Sequence, residues 1–239
     1  MRIHTLSIGQ PQTMTDGHST WRSAIFRTPV DGPIQLEPRG LSGDQVADTK
    51  NHGSLDQAVS CYPLRHYAEW NADYGLGSET SELSESSEVS DESTSQKHVV
   101  KKLGAGSVGE NWTLTDIVEA DVCIGDIYQV GDTRVQVSQP RYPCSKQERK
   151  TGLPDFLQCA MDTMRTGFYL RVLTPGIVQV GAELVLEARP QPNLTIHRLN
   201  VDIHHQSDPA FETYLLDVPE LSAGWKRILR IWLAKQATR

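Results

Sequence analysis

The chain has 239 residues, enough for one sizeable domain with an appendage or for two small ones. Its formal net charge is −7, but Glu79, Glu82, Glu85, Glu88, Asp91 and Glu92 supply most of it. The remaining body is close to neutral, which excludes nucleic-acid binding driven by bulk positive charge. No stretch approaches the ~20 apolar residues of a membrane span, and no apolar leader follows Met1. Cys61, Cys123, Cys144 and Cys159 are unevenly spaced with no Cys-x-x-Cys pair. That pattern points to free thiols in a cytoplasmic protein, not to a structural zinc or a disulfide framework.

In chain order, residues 1–9 predict a short strand ending in a turn. Residues 63–75 predict a helix: Pro63 suits a first turn, Leu64, Tyr67 and Trp70 share a face, and Gly75 can end it. Residues 77–97 are rich in Ser and Glu and too poor in apolar side chains to offset their ordering entropy, so they predict a disordered insertion within a loop. Period-two alternation follows at Val122/Ile124, Val135/Val137, Phe168/Leu170/Val172, Val178/Val180 and Leu184/Leu186, predicting strands. Over 154–164 a helix intervenes, with Phe156, Leu157, Ala160, Met161 and Met164 in one stripe and Gly167 as a stop. The expected class is mostly β (α+β), a strand barrel with flanking helices over 1–190.

The tail, 193–237, predicts three short helices. Thr195, Asp208 followed by Pro209, and Ser222 are their caps. In the last helix Trp225, Ile228, Leu229, Trp232 and Leu233 form an amphipathic stripe. These helices are expected to pack together or on the barrel.

Pro140-Arg141-Tyr142-Pro143-Cys144 is the segment with most chemical content. The prolines restrict the backbone, and a thiol is a nucleophile or metal ligand only as thiolate, roughly 3% of an unperturbed cysteine at neutral pH. A guanidinium three residues away can raise that fraction. Taken alone, the segment is equally compatible with a buried structural cysteine. Other short motifs precede it in order: Gly40 to Asp44 with Asp48, His52-Gly53-Ser54, Gly109-Glu110-Asn111-Trp112, and Cys123 to Asp126. With the stretch from Ser138 to Cys144 this set resembles the MOSC family, named for the C-terminal domain of molybdenum cofactor sulfurases. The likeness is greatest to stand-alone bacterial members that protect cells against 6-N-hydroxylaminopurine. It runs from about Ser23 to Ala188, interrupted once, and continues weakly into the tail.

The resemblance implies a MOSC-type β-barrel and a molybdenum pyranopterin cofactor, with Cys144 as thiolate ligand to the metal or as carrier of sulfane sulfur. An association with pyridoxal phosphate exists only at the level of the family. Arg141, with Lys146 nearby, is the expected partner of the cofactor phosphate, a structural salt bridge being the alternative for Arg141. His52 and Gly53 are expected to approach the cofactor, although Ser54 stands where the family usually has a second glycine. Asn111 has two readings, an amide for pterin or substrate and a turn-stabilising side chain. Asp44 and Asp48 read as turn formers, Cys123 as core, and Cys61 and Cys159 as structural cysteines beside or within helices. The implied activity is reduction of small N-hydroxylated compounds, with electrons from a separate donor protein because no flavin or haem motif is present. The alternatives are a Cys144 persulfide carrier served by a desulfurase or a cofactor-delivery protein, and a non-catalytic cofactor-binding module.

Overall fold

A computed structural model describes residues 1–15, 19–50, 52–77 and 101–236. Apart from Gly77, the acidic insertion expected at 77–97 lies outside the described residues. Strands β1 (Arg2–Ile8), β2 (Gln12–Thr15), β3 (Thr20–Ser23), β4 (Thr28–Pro29), β5 (Ile34–Glu37) and β6 (Gly40–Leu41) lead to a 3-10 turn at Leu55–Gln57 and to β7 (Val59–Pro63). Helix α1 (Arg65–Asp73) is followed by β8 (Trp112–Thr115), β9 (Ile127–Val130) and β10 (Thr133–Pro140). Next come α2 (Ser145–Thr151), α3 (Phe156–Asp162), β11 (Phe168–Thr174), β12 (Gly176–Val178) and β13 (Val185–Ala188). The chain closes with α4 (Ile196–His204), α5 (Pro209–Leu216) and α6 (Ala223–Gln236).

The fold is mixed α+β, built on a curled eight-stranded sheet of order β13-β9-β10-β11-β7-β8-β1-β4. The β7–β8 pair is parallel and its other pairings are antiparallel. Residues just before β13 reach back to the start of β1. Gly181 N donates to Ile3 O at 2.8 Å, Ile3 N to Ala182 O at 3.0 Å and Leu184 N to Met1 O at 3.0 Å. These bonds join the two sides of the sheet and use backbone groups that an open edge would leave bare.

Alternation works as expected in β10 and β11, where Val135, Val137, Phe168 and Leu170 point into the core at 1% exposure or less. Register slips between Val137 and Gln139, a bulge that skips Ser138. The bulge frees Ser138 for other partners: its carbonyl accepts from Ser222 N at 3.0 Å, and its hydroxyl donates to the Asp56 carbonyl. Trp225 Nε1 in turn donates to Pro140 O at 3.0 Å. The end of β10 is thereby gripped by the start of α6.

The tail helices begin at the expected caps. Thr195 Oγ1 accepts from Arg198 N at 3.0 Å, Asp208 Oδ1 from Ala210 N at 2.9 Å, and Ser222 Oγ from Trp225 N at 3.1 Å. Ile196, Leu199, Leu215, Trp225 and Leu229 join the same buried cluster as the barrel strands.

Several expectations need correction: Pro63 ends β7 and does not open α1, and of the Leu184/Leu186 pair Leu184 precedes β13 while Leu186 is exposed. Val122 and Ile124 are fully buried but lie in no strand: the chain there forms an isolated Cys123–Thr195 bridge to the cap of α4 and then a turn bonded to β10, with Gly125 N donating to Val137 O at 2.9 Å. Val180 lies beyond the end of β12 and is 46% exposed. Cys61 is not beside a helix in the sense expected, since it is a fully buried residue of β7 paired with Trp112 and Phe168.

Candidate functional site

A cleft of about 430 Å³ opens where the β6–β7 connection faces the segment after β10. Cys144, Arg141, His52, Gly53, Asn111 and Lys146 all line it. Residues up to about 90 positions apart are therefore gathered on one cavity, of a size ordinary for small-molecule sites.

One wall is the Pro140–Cys144 segment. Arg141 N donates to Gly167 O at 3.0 Å, which fixes the chain as it leaves β10. Cys144 is the N-cap of α2: its backbone N donates to Gln147 Oε1, and its carbonyl accepts from Gln147 N, both at 2.9 Å. Its thiol is free and half-buried at the cleft wall, accessible and yet positioned by the backbone around it.

The Arg141 side chain runs inward and is 7% exposed. Nη2 donates to Val108 O at 2.7 Å, whereas Nη1 is buried with no hydrogen-bond partner among the described residues. Burial works against its charge, yet the neighbouring Tyr169, Glu110 and Cys144 side chains outweigh burial and move its pKa upward. A permanently charged group with an unused buried donor is costly unless something else accepts from it, and an anionic oxygen is the natural acceptor.

The opposite wall is held by a clamp around Asp44. Its carboxylate takes Arg27 Nε at 3.0 Å and Nη2 at 2.9 Å, Gly9 N at 2.7 Å, and Asn111 Nδ2 at 2.9 Å. Arg27 Nη1 continues to Gly109 O at 2.7 Å. Asn111 is engaged at both ends of its amide, since Oδ1 also accepts from Ser60 N and Oγ at 3.1 and 2.8 Å. Its observed contacts therefore tie β1, β7 and the Asp44 loop together beside the cleft. Gly53 has φ +84°, and a Cβ there would lie 2.9 Å from Val46 Cγ2, so the turn after His52 requires glycine. Ser54, at φ −67°, is in ordinary backbone, so its side chain introduces no strain. His52 is half-buried; burial, then Arg141, Lys146 and Arg27, lower its pKa against the opposing pull of Asp48. Its imidazole is therefore neutral at pH 7.

Arg27, Arg39, Ser60, Gln57 and Tyr169 line the cleft as well and were not singled out in the sequence. Asp44 proved an anchor, as its turn chemistry suggests, but its arginine partner has no local motif to announce it. With the Arg27–Asp44 pair set aside, the lining cations Arg39, Arg141 and Lys146 face one further carboxylate, Asp48. The cleft is suited to an anion.

Among the described residues no group of three or more His, Cys, Asp and Glu is placed to hold a metal ion. A bare ion would need about three or four protein donors. The donor set instead fits a metal that arrives within an organic, phosphate-bearing cofactor: one thiol for the metal, and a half-satisfied buried guanidinium for the phosphate.

The MOSC domain family matches residues 48–185, more than half of the chain. The chain belongs to the MOSC family. MOSC proteins are associated with the molybdenum cofactor. Protein YiiM of Escherichia coli (strain K12) is 31% identical over 208 residues, 87% of this chain and 83% of that protein. A protein named "Reductase" from Gibberella moniliformis is 33% identical over 180 residues, 75% of this chain but only 28% of the fungal protein. The crystal structure of YiiM from Geobacillus stearothermophilus superposes with a TM-score of 0.73 at 32% identity, covering 97% of this MOSC chain and 98% of that one. The family match ends before the tail helices, but the YiiM structure covers barrel and tail alike. Among the described residues no helix is long and apolar enough to cross a membrane.

Proposed function

We propose that this MOSC protein is a molybdenum-cofactor-dependent oxidoreductase that reduces small N-hydroxylated compounds, hydroxylamino purines among them. The observation that carries the reading is a free, accessible Cys144 sharing one cleft with the buried, half-satisfied Arg141. The fungal relative named a reductase supports it for the reaction class.

When bound, the cofactor supplies a metal centre able to pass two electrons to an N–O bond, the reduction taking up two protons and releasing the oxygen as water. Cys144 Sγ is the residue that offers a soft thiolate to that centre. The Arg141 guanidinium and the Lys146 ammonium would hold the phosphate, the first as a directed hydrogen-bond donor and the second as a point charge. His52, neutral at pH 7, gives or accepts a hydrogen bond at a ligand oxygen without adding charge. The Asp44 clamp keeps the facing wall at a fixed separation. Electrons come from a separate donor protein.

Metal and pterin analysis of the purified protein tests the reading, together with turnover of an N-hydroxylated purine by a reduced donor. Stoichiometric molybdenum and pterin with turnover are expected. Cyanide-releasable sulfur on Cys144 without metal would replace the reading by the sulfur-carrier alternative, and cofactor without turnover would replace it by a binding module.

A further inference from the structure

Tyr142 departs from the pattern of its neighbours. Arg141 and Pro143 on either side are buried, yet Tyr142 is 44% exposed and lines the cleft. Its backbone is restrained on both sides: Pro143 limits its φ and ψ, and Arg141 N is bonded to Gly167 O at 3.0 Å. Beside the ring lies His204, the last residue of α4, with ring centroids 5.4 Å apart and planes at 49°. The helix end is pinned by His205, whose Nε2 lies 3.2 Å from Met161 O. Burial, with His205 adding to it, lowers the His204 pKa to about 4, so the ring behind Tyr142 is uncharged at neutral pH. A rigidly presented aromatic surface at the mouth of a polar cleft adds little to the fold and is well suited to a flat ligand.

We propose that Tyr142, backed by His204 from the C-terminal helices, is the specificity-determining wall of the cleft and receives the planar heteroaromatic ring of the substrate by stacking. The proposal rests on the reductase reading for the word substrate, but the stacking surface itself does not depend on turnover. Stacking of a base on an aromatic side chain is tolerant of ring substituents, because every such ring has a π face. A wall of this kind selects flat rings over saturated ones of equal size, while the polar groups deeper in the cleft select the anion and the N–O group. It also assigns the tail helices a part in the cleft that packing alone does not require.

Binding, not activity, decides it. Adenine and cyclohexylamine are titrated calorimetrically into the protein as purified with its cofactor, and into Tyr142→Phe, Tyr142→Ala and His204→Ala. The wild type and Tyr142→Phe are expected to bind adenine within about twofold of each other. Tyr142→Ala is expected to lose about tenfold or more and to lose the preference for adenine over cyclohexylamine. His204→Ala should fall between them. Wild-type adenine affinity in Tyr142→Ala overturns the wall, and wild-type affinity in His204→Ala overturns the backing role. A protein that reduces no N-hydroxylated compound but still binds adenine through Tyr142 would sink the reductase reading and leave the wall standing. Turnover of a purine with Tyr142-independent binding does the reverse.

Discussion

Two cysteines flank the β9–β10 hairpin, each with an arginine nearby, and the two arginines are used in opposite ways. Arg189 closes a local circuit: Nε and Nη2 meet both oxygens of Asp126 at 2.8 and 2.7 Å, and Nη2 also reaches Asp121 O. Asp126, fully buried, additionally accepts from Cys123 N and Tyr128 Oη. The Cys123 thiol donates to Pro192 O at 3.5 Å, and burial, then Asp126, raise its pKa against Arg189. On the other side, Arg141 has spent Nη2 on Val108 and keeps Nη1 buried and unused beside an accessible Cys144. Proximity of Cys to Arg thus has no single meaning. The Arg189 guanidinium is satisfied by scaffold groups, whereas the half-satisfied Arg141 is the one the proposed function assigns to a ligand.

The sharpest way to break the contrast is to remove both sulfurs in turn. Cys144→Ala should reduce turnover below detection while changing stability by only about 0.5 kcal/mol, because its side chain fills no core volume. Full turnover with cofactor bound would put Cys144 outside the chemistry. Next in size is Asp126→Ala, which strands Arg189 and two further donors. Chemical denaturation should show a loss of ~3 kcal/mol, at the low end for a broken buried pair because the Arg189 side chain is 34% exposed. Molybdenum content of the folded fraction should hold.

Arg141 is probed by occupancy. Metal content should fall in the order wild type, Arg141→Lys, Arg141→Ala, since Lys keeps the charge but not the planar donor geometry. Equal occupancy in all three would reduce the orphan nitrogen to a packing defect. Cys123→Ala should cost ~1 kcal/mol in the same denaturation assay and leave turnover intact. The smallest effect concerns pH. His204 titrates near 6.5 when unfolded and at about 4 when folded. The unfolded chain therefore binds more protons in that window, and stability contributed by the neutral ring is lost as pH falls from 6.5 toward 4. His204→Phe should flatten that part of the melting profile relative to wild type.

Much of this was legible in the chain because its signals are local. The bulk of β10 and β11 announced themselves by alternation, the tail helices by Thr195, Asp208 and Ser222, and the cleft by short motifs in order. Helix α2 was not seen because Ser145–Thr151 is almost wholly polar and leaves periodicity nothing to register. Its one signal was Cys144 with Gln147 three residues on, ahead of a left-handed Gly152 at φ 68°. Strands β2 to β6 are two to four residues long, too short to alternate convincingly. Val122 and Ile124 misled for the opposite reason: an isolated bridge and the turn after it can bury both residues as thoroughly as a strand does. Arg27 had no motif, and its bond to Asp44 exists only in three dimensions.

The seam between Met1–Ile3 and 181–184 has a consequence for how the molecule comes into being. These bonds connect the start of β1 to residues just before β13, while β4 pairs β1 only at Ser7 and Ile8, so the Met1–Ile3 edge stays unpaired until the chain through residue 184 has been made. Loop-closure entropy grows only slowly with length, by ~0.6 kcal/mol per doubling, so the delay is a matter of order more than of energy. Non-local pairings of this kind make for slow assembly. The N-terminal strand acts as the clasp of the barrel, and a cell that makes this protein has reason to keep that edge shielded while the rest emerges.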